Sequence, residues 1–236
     1  MSEQRYHEQM IARLNELIRD CTLRSRFYGI RGALLLDEAR AHHFRKLGRR
    51  AEGLSTRIST YYAAASAARA RAKNNPLFLR PLWLLIGYAC FRRSIYLADA
   101  LIYREGGFES LSANQADVYV HTVLARKRYN DAVHFAEMLL SRADASADNR
   151  ALMQRIMAEV LIVRGRYRDA EQMLDSALQS GAELPPLTIV RLLRTKGVLY
   201  DQRRNRQMAD SFFERARAVA LQHNFTGQLE KIEARQ

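Results

Sequence analysis

The histidines, cysteines and acidic residues are the side chains of this sequence that could bind a metal ion or carry catalysis. Glu38 and His42 are four residues apart and would share one face of a helix, but two ligands do not make a metal site. Cys21 has arginines nearby in sequence but no neighbouring base, and Cys90 lies in an apolar run typical of a protein core. There is no glycine-rich phosphate loop and no zinc-protease, dithiol or nucleophile-elbow motif. We therefore expect a protein that is not an enzyme and that binds no cofactor or metal ion.

The composition of the chain favours helices over strands. The chain has 236 residues, of which 48% are hydrophobic, an ordinary fraction for a globular protein. With only 11 Gly and 4 Pro it lacks the turn residues that an all-β sandwich or barrel requires. Its 2 Cys exclude a disulfide scaffold and a cysteine-rich zinc module. We predict an all-α protein.

The positive charge of the chain is concentrated towards its N-terminus. The sequence has 38 Lys and Arg against 25 Asp and Glu, a formal net charge of +13. Residues 1–76 contain 15 of these cations and 7 of the acidic residues, which gives +8. Such an excess suits nucleic acid, anionic lipid or an acidic protein, although a genome rich in arginine codons would also produce it. The candidate basic surface consists of Arg45, Lys46, Arg49, Arg50 and Arg57.

The most apolar segment of the chain is residues 77–91, which Arg80 and Pro81 interrupt. A helix needs about 20 apolar residues to cross a bilayer, so this segment predicts a buried helix. An alternative is a helix that rests with Arg92 and Arg93 on an anionic membrane surface. The first residues of the chain are charged and periodic, unlike a secretory signal, and predict a cytoplasmic protein.

Apolar residues between 44 and 68 repeat at alternating spacings of three and four. This heptad pattern predicts one long helix, which packs in an N-terminal helical bundle or forms a coiled coil with a second copy of the chain. Gly48 and Gly53 fall inside the pattern, and each would cost about 1 kcal/mol in a helix interior. The seam consists of Phe44, Leu47, Ala51, Leu54, Ile58, Tyr61, Ala65 and Ala68.

Asn74, Asn75 and Pro76 form the clearest break in the sequence, because the residue before a proline avoids the helical conformation. We predict that the basic N-terminal region, residues 1–76, ends here. Residues 77–111 are then expected to form a pair of helices that ends at Gly106 and Gly107, and residues 112–236 a further helical region.

Three segments of that last region align with one another, namely residues 118–140, 157–178 and 196–218. Their shared alanines, at positions 132, 170 and 209, are 38 and 39 residues apart. The segments resemble the tetratricopeptide repeat, a helix–turn–helix unit of about 34 residues. The resemblance implies an α-solenoid of helical hairpins over residues 113–223, followed by a capping helix.

The middle segment matches the family pattern best. Ala158 and Ala170 are small where the two helices of a hairpin would cross, and Gly165 allows a tight turn between them. In the other two segments Lys127 and Arg204 stand where glycine is usual. The apolar face of the capping helix would consist of Phe225, Leu229 and Ile232.

The resemblance also implies a binding surface, because repeat stacks of this family hold peptides in a groove lined by the first helix of each hairpin. The Lys and Asn pair that clamps a carboxylate terminus in some members is absent from this face. A groove with Arg155, Arg191 and Arg194 would suit an acidic peptide or helix. The candidate groove residues are Asn114, Asp117, His121, Arg155, Glu159, Arg191, Arg194 and Asp201.

These features together predict a non-enzymatic adaptor, scaffold or assembly factor that binds a protein segment. Two alternatives stay open: a nucleic-acid-binding protein that uses the basic N-terminal third, and a peripheral component of a membrane-associated complex. A steep dependence of binding on salt would favour nucleic acid. Self-association is expected if the heptad seam of residues 44–68 faces a second copy of the chain.

Overall fold

A computed structural model describes residues 3–23, 27–74, 76–179 and 183–233, and these ranges contain eleven helices and no strand. The predicted all-α fold class is confirmed for them, and none of these helices has the length and apolarity that a membrane crossing requires. The chain forms two compact units, Met1–Ser110 and Leu111–Gln236. The helices are α1 (Glu3–Leu23), α2 (Phe27–Lys46), α3 (Arg50–Asn74), α4 (Arg80–Glu105), α5 (Ala113–Ala125), α6 (Tyr129–Leu140), α7 (Ala147–Val163), α8 (Tyr167–Gln179), α9 (Pro186–Gln202), α10 (Arg206–Gln222) and α11 (Thr226–Glu233).

The first unit contains α1 to α4, and each of these helices packs against the next one along the chain. α4 comes close to α3 at Gly87, where a Cβ atom would lie 3.4 Å from the carbonyl oxygen of Ala65 and 3.5 Å from the Cβ of Ala68. Trp83 and Cys90 of α4 belong to the same core cluster. Small side chains on α3 and α4 therefore let the two backbones come close and exclude water between them.

The heptad pattern between residues 44 and 68 does not form one continuous helix, so that prediction is wrong. α2 ends at Lys46, Gly48 has a φ of +72°, and α3 begins at Arg50. The Arg49 amide donates to the carbonyl oxygen of Phe44 at 2.9 Å, the hydrogen bond that closes a left-handed helix end. Glycine adopts this φ without a steric penalty, so Gly48 ends α2. The two parts of the seam therefore belong to neighbouring helices that pack on each other.

Residues 77–111 contain one helix instead of the predicted pair. α4 is uninterrupted. Pro81 lies in its first turn, where backbone amides have no hydrogen-bond partner within the helix, so the missing N–H of proline costs no hydrogen bond. Gly106 ends the helix with a φ of +79°. Because α4 packs on α3, the boundary between the compact units follows Ser110 and not residue 76, where we expected it.

The second unit contains α5 to α11, and each of these helices also packs against the next. Three-residue turns connect α5 with α6, α7 with α8, α9 with α10, and α10 with α11. α5 and α7 pack on each other, as do α7 and α9, and α11 packs on α9 as well as on α10. The helices that come first in each pair, α5, α7 and α9, thus lie side by side and form a common surface, which we call the first-helix surface.

The four short turns of the second unit share one backbone geometry. Their middle residues are Lys127, Gly165, Arg204 and Asn224, with φ values of 60°, 74°, 59° and 55°. In each turn the next amide donates to a carbonyl oxygen five residues earlier, at 2.8–3.3 Å. The alignment matched Lys127 and Arg204 to Gly165, and all three are left-handed here, although the two residues with a Cβ atom are strained by that conformation.

Small side chains also set the distances between the helices of the second unit. Ala158 of α7 and Ala170 of α8 are completely buried in one core cluster. The tightest contact is between α9 and α10, because a Cβ atom at Gly197 would lie 2.6 Å from the ring of Phe213. Any larger residue at this position would push the ring, and with it the middle of α10, away from α9.

Candidate functional site

Six of the eight candidate groove residues come together on the first-helix surface, two from each of α5, α7 and α9. They are joined there by Thr195 of α9 and by Lys231 of α11, whose charge interacts with Arg155, Arg191 and Arg194. We call this group the charged cluster. Its members are Asp117, His121, Arg155, Glu159, Arg191, Arg194, Thr195 and Lys231.

Arg155 lies at the centre of the charged cluster and is only 4% exposed. Its Nη1 atom donates to Glu159 one turn further along α7, and its Nη2 atom lies 3.3 Å from Nδ1 of His121 on α5. Glu159 in turn accepts a hydrogen bond from Thr195 Oγ1 at 3.3 Å, and His121 Nε2 is 3.5 Å from Asp117 Oδ1. A chain of polar contacts therefore crosses all three first helices and holds the guanidinium in place.

Burial controls the protonation of the groups around Arg155. It raises the pKa of Asp117 to about 6, against the attraction of Arg191 and Arg155. It holds the pKa of His121 well below its usual value, and the nearby cations Arg155, Arg191 and Lys231 act in the same direction. His121 is therefore neutral at pH 7 and contributes no charge to the cluster.

Lys231 has mainly cations among its charged neighbours in the cluster. Burial, followed by repulsion from Arg194, Arg191 and Arg155, lowers the pKa of its ammonium to about 8, and only Glu159 opposes the shift. The four cationic side chains of the cluster thus outnumber its two carboxylates, Asp117 and Glu159, and Asp148 is a further acidic neighbour of Asp117. Bringing a further anion to this surface would relieve the repulsion between the cations.

The remaining two candidate groove residues lie outside the cluster. Asn114 is exposed in the first turn of α5, and its side-chain oxygen is 3.4 Å from Asn149 Nδ2 of α7, which donates to it. Asp201 is exposed near the end of α9. Sequence reasoning missed Thr195 and Lys231. Thr195 follows Arg191 by one helical turn and could have been found from that spacing, but no pattern in the sequence places α11 beside α9.

The candidate basic surface of the first unit is divided by the structure. Arg45, Lys46 and Arg50 are exposed around the turn between α2 and α3, and the exposed Arg49 binds Glu52 with Nε 2.7 Å from Oε1. Arg57 does not belong to this surface, because its side chain is 13% exposed and is engaged by carboxylates. The exposed part of the candidate basic surface is therefore limited to the four residues around this turn, Arg45, Lys46, Arg49 and Arg50.

Arg57 is instead part of a buried ion cluster that links α1, α2 and α3. Its Nε atom is 3.4 Å from Asp37 Oδ2, and its Nη2 atom donates to Glu38 at 2.6 Å. Arg40 is hydrogen-bonded to Asp37, to Thr60 at 2.9 Å and to Asn15 at 2.6 Å. Burial raises the pKa of Asp37, and the two guanidinium groups oppose that rise. The residues of this buried ion cluster are Asn15, Asp37, Glu38, Arg40, Arg57 and Thr60.

The residues considered for catalysis are not brought together. Glu38 binds Arg57, and Cys90 is buried in the core of the first unit, where burial raises the pKa of its thiol. His7 and His43 lie in contact, with their Nδ1 atoms 2.7 Å apart. Across the described ranges, His, Cys, Asp and Glu side chains form no group of three that could hold a metal ion.

Comparisons of this chain with protein-family models, with curated proteins and with solved structures give no match. The charged cluster and the packing around it are therefore the basis for a functional proposal.

Proposed function

We propose that the second unit is a stack of tetratricopeptide-like hairpins, α5 with α6, α7 with α8 and α9 with α10, and that α11 caps it. Three features support this arrangement. The hairpin turns have the same left-handed middle residue, at positions 127, 165 and 204. The first helices pack on one another from hairpin to hairpin. Alanines and a glycine stand where the helices cross most closely.

We propose further that this unit is a non-enzymatic adaptor whose first-helix surface binds an acidic peptide or helix of a partner protein. The observation that carries the proposal is the charge of the cluster, in which four cations face two carboxylates. A carboxylate of the partner would accept hydrogen bonds from a guanidinium in the bidentate geometry that arginine offers. Arg191 and Arg194 are the arginines of the cluster that remain partly exposed, whereas Arg155 is buried and positions its neighbours.

The protonation of Lys231 distinguishes binding at the cluster from nonspecific attraction to a basic protein. An anion beside Lys231 would raise the pKa of its ammonium from about 8 towards the usual value for lysine. Binding near pH 8 should therefore take up protons. Calorimetry in buffers with different ionisation enthalpies would detect the uptake, and Lys231→Met should abolish it.

The direct test measures how tightly the full chain binds designed helical peptides rich in Glu, by fluorescence anisotropy at physiological salt. The variant Arg191→Glu with Arg194→Glu should weaken binding at least tenfold, since each lost charge-assisted hydrogen bond contributes about 1.5–3 kcal/mol. The matched control is Arg168→Glu with Arg206→Glu, which makes the same change of charge at exposed positions on the second helices α8 and α10.

The control should change the affinity less than threefold. Equal weakening in both double variants would mean that the peptide is attracted by overall charge and not by the cluster, and the proposal would fail. It would also fail if peptides with Lys in place of Glu bound as tightly. Circular dichroism of each variant checks that the helices are intact before the affinities are compared.

A further inference from the structure

The outer face of α4 and the turn before it expose an unusual amount of apolar surface. Leu77 and Phe78 in the turn are 84% and 79% exposed, and Leu82, Leu85 and Tyr88 on the helix are 50%, 64% and 59% exposed. These helical positions follow one another at spacings of three, so they lie along one side of the helix. The opposite side of α4 supplies the buried contacts with α3. We call the exposed group, together with Arg92 and Arg93, the α4 outer face.

The charged residues of α4 nearest this apolar surface are arginines, and the first acidic residue, the exposed Asp99, follows Arg92 by two turns. Arg92 and Arg93 are exposed one turn beyond Tyr88, and Arg80 is exposed at the start of the helix. Residues 77–98 include no Asp or Glu. Between residues 77 and 98 a protein partner would find no acidic group to pair with its own cations, whereas an anionic surface would be attracted by the three arginines.

We propose that the α4 outer face binds the surface of a bilayer that contains anionic phospholipids. Leucine, phenylalanine and tyrosine next to arginine are the combination that interfacial helices use, with apolar side chains at the level of the acyl chains and guanidinium groups at the level of the phosphates. The other side of α4 packs against α3, so these apolar side chains are already exposed in the folded first unit. This inference is independent of the binding function of the second unit.

The test is co-sedimentation of the full chain with vesicles of phosphatidylcholine alone and with vesicles in which about a third of the lipid is phosphatidylserine. We expect binding to the anionic vesicles and at least tenfold weaker binding to the neutral ones. Phe78→Ser with Leu85→Ser should weaken binding to the anionic vesicles at least tenfold, because two apolar side chains no longer insert. Arg92→Gln with Arg93→Gln should weaken it about tenfold or more, since each cation near such a surface contributes about 1 kcal/mol.

The matched control is Val163→Ser with Leu221→Ser, which removes apolar side chains that are 60% and 57% exposed on α7 and α10 of the second unit. This variant should bind within twofold of the unchanged chain. Binding that is equal on neutral and anionic vesicles, absent from both, or weakened as much by the control would overturn the proposal. It would also be overturned if the face instead joined two copies, so that Phe78→Ser with Leu85→Ser dissolved a dimer in sedimentation equilibrium without changing vesicle binding.

Discussion

Each of the two compact units contains a cluster of arginine and carboxylate side chains contributed by several helices, and the two clusters differ in their charge balance. In the buried ion cluster of the first unit, Asp37 and Glu38 face Arg40 and Arg57, so the charges are equal. In the charged cluster of the second unit, four cations face two carboxylates. The same residue types therefore form a charge-balanced link between helices in one unit and a surface with more cations than carboxylates in the other.

The difference lies in the charges around the most buried groups and not in exposure alone, since Glu38 of the first cluster is 59% exposed. Arg40 makes hydrogen bonds to three side chains on three helices, and the Asp37 side chain that it binds is only 1% exposed. The Asp117 and Glu159 side chains remain 16% and 31% exposed, and Lys231 has cations as most of its charged neighbours. A cluster with balanced charges stabilises the fold that holds it, whereas a cluster with more cations than carboxylates gains free energy when an anion arrives.

The largest effect that would test this comparison is expected for Arg40→Met. The substitution leaves Asp37 buried with only Arg57 near its charge, so the free energy of unfolding of the first unit should fall by about 3–5 kcal/mol. Trp83 is the single tryptophan of the chain and lies in this unit, so its fluorescence during urea unfolding reports the change. Arg45→Met, at an exposed position on the same helix, should change the free energy by less than about 0.5 kcal/mol. A small effect of Arg40→Met would show that the first cluster is not a structural link.

The same type of substitution in the second unit, Lys231→Met, is expected to have the opposite sign. The pKa of Lys231 is about 8 in the folded chain and 10.5 when unfolded, so its charge is unfavourable in the folded state below pH 8. Lys231→Met should therefore stabilise the second unit by about 1 kcal/mol at pH 7, once solvent screening at this half-buried site is allowed for. Hydrogen exchange of α9 and α10 would measure it.

Lys231 also predicts how the stability of the second unit depends on pH. Between pH 8 and 10.5 the unfolded chain binds the lysine proton more tightly than the folded one, so stability should rise as the pH increases. The measurement should stay below about pH 9.5, because the raised pKa of Tyr200, about 12, reverses the trend at higher pH. A rise of the same size in Lys231→Met would contradict the assignment.

The smallest changes in stability are expected at the left-handed turns, which occur in both units with different middle residues. Gly48 in the first unit and Gly165 in the second are left-handed glycines, so Ala at either position should destabilise its unit by about 1 kcal/mol. Lys127 and Arg204 adopt the same conformation although they carry a Cβ atom. Lys127→Gly and Arg204→Gly remove that strain but increase the entropy of the unfolded chain, so each should stabilise its unit by only about a few tenths of a kcal/mol. Thermal unfolding of the four single variants would rank them, and destabilisation by Lys127→Gly would contradict the shared geometry.

Sequence patterns predicted the structure correctly where the residues that cause a conformation lie close together in the chain. The scarcity of glycine and proline was enough for the all-α class, and the alignment located the left-handed turn residues at 127, 165 and 204. The same alignment selected the side chains of α5, α7 and α9 that meet on one surface. These features depend on the spacing of residues along a helix and on the residues of short turns, and both can be read from the sequence.

The errors arose where a pattern permits two arrangements. A heptad seam is compatible with one long helix or with two helices that pack on each other, and Gly48 selected the second by ending α2. Residues 77–111 were expected to form a pair of helices, but one continuous helix, α4, packs against α3. Arg57 looked like a surface cation, and only the approach of α2 to α3 placed it beside Asp37.

The sequence alone determined the all-α class of this protein, the left-handed turns at 127, 165 and 204 and the excess of positive charge, because composition and spacing along the chain carry that information. Only the tertiary structure decided which charges neutralise one another. Asp37 closes one cluster and Lys231 adds to the repulsion in the other, and both outcomes depend on distances between helices that are far apart in sequence. Electrostatic energy depends on those distances and on burial, and neither can be read from the order of the residues.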